Sequence, residues 1–281
     1  MRVGLIGHPL GHSLSPPMQD AAFAALGLPY RYELIDIPES ALPDQVAALR
    51  GGDWLGCNVT VPYKTAIAPL LDELHGDAAA LGAVNTVRVE AGRLAGYNTD
   101  VAGFAADLAA HLPAGATPGR AVVLGAGGSA RAVVWALVQQ GWEVVVVARR
   151  AVQAAQLRDS LPAGGAIIPA ALEPPVVAGW LAGARMLVNC TPLGMWPRTA
   201  DDPLPPDVPL AADLFVYDLV YRPAQTRLLA RAAAAGCRTA GGLGMLVGQG
   251  AAAFTLWTGY PAPVAIMRAA AEQALAAQHT Q

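Results

Sequence analysis

Residues 120–147 restrict the chain to a narrow set of folds. Arg120-Ala-Val-Val-Leu-Gly125 reads as a buried strand that runs into a glycine turn made of Gly125, Ala126, Gly127, Gly128, Ser129 and Ala130. Arg131 to Gln140 follows as an apolar helix and Glu143 to Val147 as a second strand. A glycine loop set between strand and helix, with another strand behind, is the full context of a dinucleotide site. The glycines let the backbone approach a pyrophosphate at the helix N-terminus, the alternative being tight strand–helix packing alone. The second strand ends in Ala148-Arg149-Arg150, with no carboxylate to take a ribose 2′-hydroxyl. Arginine there suits a 2′-phosphate, and one charge-assisted bond of roughly 1.5–3 kcal/mol favours NADP over NAD by about ten- to a hundredfold. The other reading, a solvated arginine pair, sets cations at a helix N-terminus, where they are unfavourable without an anion.

The rest of the chain repeats the alternation of strand and helix. Before the βαβ unit come strands at Val3–Ile6, Tyr32–Ile37 and Leu55–Val61, helices at 39–50, 65–74 and 101–112, and a hairpin of 83–89 with 93–98. Residues 113–119 break the pattern and form the linker candidate, where a second unit starts. After it come strands at 185–189, 215–219 and 238–240, a helix near 225–235, and helices at 245–257 and 263–277. This is an α/β chain, and at 281 residues, 54% hydrophobic and only 14% charged, it can bury two cores. A net charge of −3 with scattered arginines excludes a nucleic-acid surface. Three cysteines without a C-x-x-C pair suggest neither a disulfide framework nor a zinc site, so no metal is expected. The N-terminal apolar run is too short for a signal peptide and no run reaches membrane-spanning length, which points to the cytoplasm.

Polar residues within this apolar chain mark its chemistry. Of 18 basic residues, 17 are arginine and one is lysine, Lys64. A lysine amine can give up its proton and an arginine cannot, so Lys64 is a candidate acid/base or point donor. Asn58 and Thr60 alternate toward the same face of the strand before it, and a carboxylate at Asp100 near Lys64 would orient the amine. Asp100 also suits a helix N-cap, as does Ser15 before Pro16. Ser13 and Ser15 beside a helix N-terminus make a carboxylate site, whereas His8 and His12 on the same loop read as loop residues, not metal ligands. Thr191 lies in a loop at a strand's C-terminal end, where open α/β sheets bind ligands. Gln249 is the one long polar side chain of its helix.

Taken together, Ser13-Leu-Ser15-Pro, Asn58-Val-Thr60-Val-Pro-Tyr-Lys64, Gly82-Ala-Val-Asn85-Thr, Asn98-Thr-Asp100, Gly125-Ala-Gly-Gly-Ser-Ala, Asn189-Cys-Thr-Pro-Leu-Gly194-Met and Met245-Leu-Val-Gly-Gln249 resemble the quinate/shikimate dehydrogenase family over nearly the whole chain. The resemblance implies a substrate-binding and catalytic domain at 1–100, completed by C-terminal helices at 244–281, and a Rossmann-like NADP domain at 101–243 across a cleft. It implies that Ser13 and Ser15 bind the substrate carboxylate, and that Asn58, Thr60, Asn85, Asp100 and Gln249 bind ring hydroxyls. Lys64 matches the catalytic lysine with Asp100 as its partner, and Tyr221, Leu219 and Gly242 match residues near substrate and nicotinamide. Many NADP-using members carry Asn-Arg-Thr where this chain has Ala148-Arg149-Arg150, and Leu219 replaces a common methionine. The implied reaction is NADP-dependent reduction of 3-dehydroshikimate to shikimate in aromatic amino-acid biosynthesis, by a monomer or homodimer. The rivals are a quinate or dual-specificity dehydrogenase and a non-catalytic NADP-sensing regulator. The retained Lys64 and Asp100 argue against the regulator.

Overall fold

Apolar strands from the two halves of the chain assemble into two separate six-stranded sheets. The computed structural model describes residues 1–11, 13–113, 115–162 and 164–278, so His12 lies outside the described residues. Two units result: Met1–Gly103 with Leu246–Gln281, and Phe104–Met245. The first contains β1 (Arg2–Gly7), α1 (Ser15–Ala25), β2 (Arg31–Asp36), α2 (Leu42–Ala48), β3 (Trp54–Val59), β4 (Glu73–Leu74), α3 (Asp77–Leu81), β5 (Thr86–Glu90), β6 (Arg93–Tyr97) and the start of α4 (Thr99–His111). Its sheet runs β2-β1-β3-β5-β6-β4. The β5–β6 hairpin pairs antiparallel within itself and with β3, whereas β2 and β3 flank β1 in parallel.

The second unit takes the rest of α4, then β7 (Arg120–Leu124), α5 (Gly128–Gln139), β8 (Glu143–Ala148), α6 (Ala151–Asp159), β9 (Ile167–Ala171), α7 (Pro174–Leu181), β10 (Met186–Asn189), β11 (Phe215–Asp218), α8 (Arg227–Ala234), β12 (Arg238–Gly241) and the start of α9 (Leu243–Thr258). Every strand pair is parallel, in the order β12-β11-β10-β7-β8-β9. This is the doubly wound dinucleotide-fold order, whose switch point lies between β7 and β10. Val122, Val145, Leu187 and Val216 are fully buried on it, as strands covered on both faces require. The chain then returns to the first unit, where Phe254 of α9 stacks on Phe23 of α1 at 5.3 Å and α10 (Val264–Gln278) packs along α1.

Several local expectations fail for physical reasons. Residues 65–74 are not a helix: Pro69 allows only a short 3-10 turn at Ala68–Leu70, after which Leu71 is extended and the chain joins the sheet edge as β4. Lys64 therefore sits in a turn, not at a helix start. Leu14 is already helical in its dihedrals, so Ser15 opens α1 as its first residue instead of capping it. Likewise α4 begins at Thr99, which leaves Asp100 inside the first turn and not at the N-cap. The second unit starts within α4 and not at residues 113–119, because the helix runs through the division. Helix α7 is not foreshadowed by the sequence, since its opening Pro174-Pro175 resembles a loop although proline is well placed in a first helical turn.

Candidate active site

Strand β3, the turn behind it, the start of β5, the start of α4 and helix α9 bring five polar side chains of the first unit together: Asn58, Lys64, Asn85, Asp100 and Gln249. Lys64 Nζ donates to Asp100 Oδ2 at 2.6 Å, with the side chains only 10% and 7% exposed. The turn that carries Lys64 is held by Val84 N–H, which donates to Lys64 O at 2.7 Å. Asn85 Nδ2 donates to Asp100 Oδ1 at 2.9 Å, so the two carboxylate oxygens face different partners. Gln249 Oε1 lies 3.4 Å from the same Asn85 amide, while Gln249 Nε2 donates to Leu246 O at 2.8 Å. Asn58 Nδ2 donates to Asn85 O at 3.2 Å and to Thr86 Oγ1 at 3.0 Å, and Thr86 Oγ1 donates to Asn85 Oδ1 at 3.1 Å. A buried ion pair is tolerated only when its remaining lone pairs and protons are met in this way.

The other expected substrate residues of the first unit, Ser13, Ser15 and Thr60, lie on the loop before α1, at the first residue of α1 and just beyond β3. Ser13 Oγ accepts from Ser15 N–H at 3.2 Å, so the serine pair forms a turn at the start of α1. The loop before it is tied down by Asp36, which accepts from His8 Nδ1 at 2.6 Å and from Leu10 N–H at 2.9 Å. Thr60 follows the end of β3; its N–H donates to Ile6 O at 2.9 Å. Its methyl lies where a Cβ on Gly7 would collide with it, so only glycine fits at Gly7. Three further members of the group, Tyr32, Thr86 and Thr99, are not among the expected site residues. Tyr32 hydroxyl donates to Asn58 Oδ1 at 2.7 Å, and Thr99 N–H donates to Asn85 Oδ1 at 2.7 Å. Burial holds the Tyr32 phenol well above its ordinary pKa, with the Ser15 hydroxyl pulling weakly the other way.

In the second unit the expected cofactor residues gather at the C-terminal ends of the parallel strands. Gly125 leaves β7 at φ +106°, a conformation open to glycine, and a Cβ there would meet the Thr191 methyl at 3.1 Å. The glycine turn and the Thr191 loop thus lie together at the switch point. Gly127 precedes α5 with open space where a Cβ would stand, and Ala126, Gly128 and Ser129 complete the approach to the helix N-terminus. Ala148 ends β8, and Arg149 and Arg150 follow it exposed. Leu219 and Gly242 touch so closely that any side chain on Gly242 would collide with Leu219 O. Tyr221 is half-buried beyond β11. Behind these loops Asp218 accepts from Asn189 Nδ2 at 2.8 Å, Val220 N–H at 3.0 Å and Thr226 Oγ1 at 2.6 Å. Burial raises the Asp218 pKa. The positive-φ glycine, the open helix N-terminus and the exposed arginines fit an NADP pyrophosphate and 2′-phosphate. Among the described residues no cluster could hold a metal ion and no helix is long and apolar enough to cross a membrane.

Comparison with known proteins gives these units a relationship. Residues 5–87 match the family model described as the shikimate dehydrogenase substrate binding domain, and residues 242–272 the one described as the Shikimate 5'-dehydrogenase C-terminal domain. The chain is 47% identical to the shikimate dehydrogenase (NADP(+)) of Moorella thermoacetica, over 98% of this chain and 94% of that one. It resembles the shikimate 5-dehydrogenase of Thermus thermophilus, solved in complex with NADP(H) and shikimate, with a TM-score of 0.87 and 40% identity over 98% and 99% of the two chains. A quinate dehydrogenase from Corynebacterium glutamicum, in complex with NAD, gives a TM-score of 0.87 at 34% identity over 97% and 99%.

Proposed function

The chain belongs to the shikimate dehydrogenase family, and from that premise we propose that it catalyses the reversible, NADP-dependent reduction of 3-dehydroshikimate to shikimate, a step of aromatic amino-acid biosynthesis. The observation that carries this reading is the buried Lys64–Asp100 pair at 2.6 Å, framed by Asn58, Asn85 and Gln249. NADPH, when bound, supplies the hydride. Lys64 Nζ gives its proton to the oxygen that becomes the new hydroxyl, and Asp100 holds the amine in place. Ser13 and Ser15 take the carboxylate; Asn58, Thr60, Asn85, Asp100, Gln249 and Tyr221 take the ring and its hydroxyls. Gly125 to Ser129 receive the pyrophosphate, and Ala148, Arg149 and Arg150 the 2′-phosphorylated ribose. Thr191, Leu219 and Gly242 border the nicotinamide. We place the enzyme in the cytoplasm, as a monomer or homodimer; its three free cysteines suit a reducing compartment.

The test is a nicotinamide absorbance assay that pairs shikimate and quinate with NADP and NAD in all four combinations. Rapid turnover is expected only with shikimate and NADP. Comparable turnover of quinate, or comparable use of NAD, would move the chain toward the quinate dehydrogenase it also resembles. NADP binding with no turnover in any pairing would make it a regulator.

A further inference from the structure

The bonded group around Lys64 continues past Asn58 to a phenol outside the expected site. Tyr32 on β2 is 5% exposed, and its hydroxyl reaches across β1 to Asn58 Oδ1 on β3. That bond sets which way the Asn58 amide faces. With Oδ1 turned to the phenol, Nδ2 is left to donate to Asn85 O and Thr86 Oγ1. Thr86 passes the connection to Asn85, Asn85 to Asp100 and Asp100 to Lys64. We infer that Tyr32 is a positioning residue for substrate binding, which fixes the orientation of the Asn58 amide. The side chains that face the hydroxyls of a cyclic acid are then held by one bonded chain from Tyr32 to Lys64 instead of by independent contacts. This rests on the function proposed above.

The experiment compares the full-length protein with Tyr32→Phe, Asn58→Leu and the double variant. Phenylalanine keeps the ring packed beside Trp257, 6.3 Å between centroids. Tyr32→Phe should raise KM for shikimate roughly tenfold, the order expected when a buried amide loses its partner, while kcat changes less than about threefold. KM for NADP should stay within about twofold, a separation that general loosening of the fold would not give. In the Asn58→Leu background the acceptor is gone, so removing the hydroxyl should change KM for shikimate by less than about twofold. That comparison needs only the two Asn58→Leu proteins, in which Asn85 O still accepts from Val59 N–H and Thr86 Oγ1 still donates to Asn85 Oδ1, and a change above about twofold between them would overturn the inference. An unchanged KM in Tyr32→Phe, or equal effects in both backgrounds, would overturn the inference while leaving the dehydrogenase reading intact. A wild-type protein without shikimate turnover would remove both.

Discussion

Lys64 and Asp100 are held where neither has much water to fall back on. Removing one partner leaves the other charge buried, so the pair is costly to break and well oriented while whole. Lys64→Ala should lower kcat by about 100- to 10,000-fold, the range for a positioned acid/base group, in the shikimate–NADP assay. Lys64→Arg should fail similarly, since it keeps the charge but does not release its proton. A loss below about threefold in either variant would take Lys64 out of the chemistry. At the cofactor end, Arg149→Ala should raise KM for NADP by about ten- to a hundredfold and leave KM for NAD nearly unchanged. Lys64 and Arg149 stand out in the sequence because composition isolates them: one lysine among arginines, and an arginine pair without an acid; Asp100 by position alone suits an N-cap equally. Tyr32 and Thr86 do not stand out, because a tyrosine or threonine in an apolar strand reads as core filling. What distinguishes Tyr32 is a partner two strands away in the sheet and 26 positions along the chain.

Helices α4 and α9 meet where neither has a side chain to keep them apart. Gly103, one turn beyond Asp100, lies so close to α9 that a Cβ would stand 2.6 Å from Gln249 N, and a Cβ on Gly248 would stand 3.1 Å from Gly103 Cα. Those neighbours are backbone atoms, which cannot swing aside. Gly103→Ala should therefore cost roughly 1–3 kcal/mol of stability, as overpacking does, and raise KM for shikimate by displacing Gln249 from Asn85. A denaturant midpoint and a KM determination check the two effects separately. The strand–glycine–helix element and the β5–β6 hairpin were readable because glycine placement and apolar runs specify them locally. Residues 65–74 were misread because Pro69 limits them to a short 3-10 turn, and distant groups then set their path: Asp72 accepts from Arg50 at 2.6 Å and from Leu94 N–H at 2.7 Å, and so draws the segment to the sheet edge.

The first unit is discontinuous, and its last segment is bonded into it. Trp257 Nε1 donates to Val87 O at 3.0 Å, Gln19 Nε2 donates to Gly250 O at 2.9 Å, and α10 packs on α1. A chain ending at Gly259 should lose the packing of α10 and with it the stability of the first unit, whereas Phe104–Met245 keeps all six of its strands. Limited proteolysis of that shortened protein should leave a resistant fragment close to 104–245; equal digestion of both units would contradict this. The two-unit plan was legible from the alternating pattern, but that pattern set the break at 113–119, whereas the division falls inside α4 and α9, which continue unbroken through it. The same discontinuity orders events during translation. Residues 104–245 leave the ribosome complete while the first unit still waits for its C-terminal segment. Gln249 and the Trp257 clasp are synthesised after the whole of the second unit, so a nascent chain can hold a finished nucleotide fold before it has a finished site for the acid it reduces.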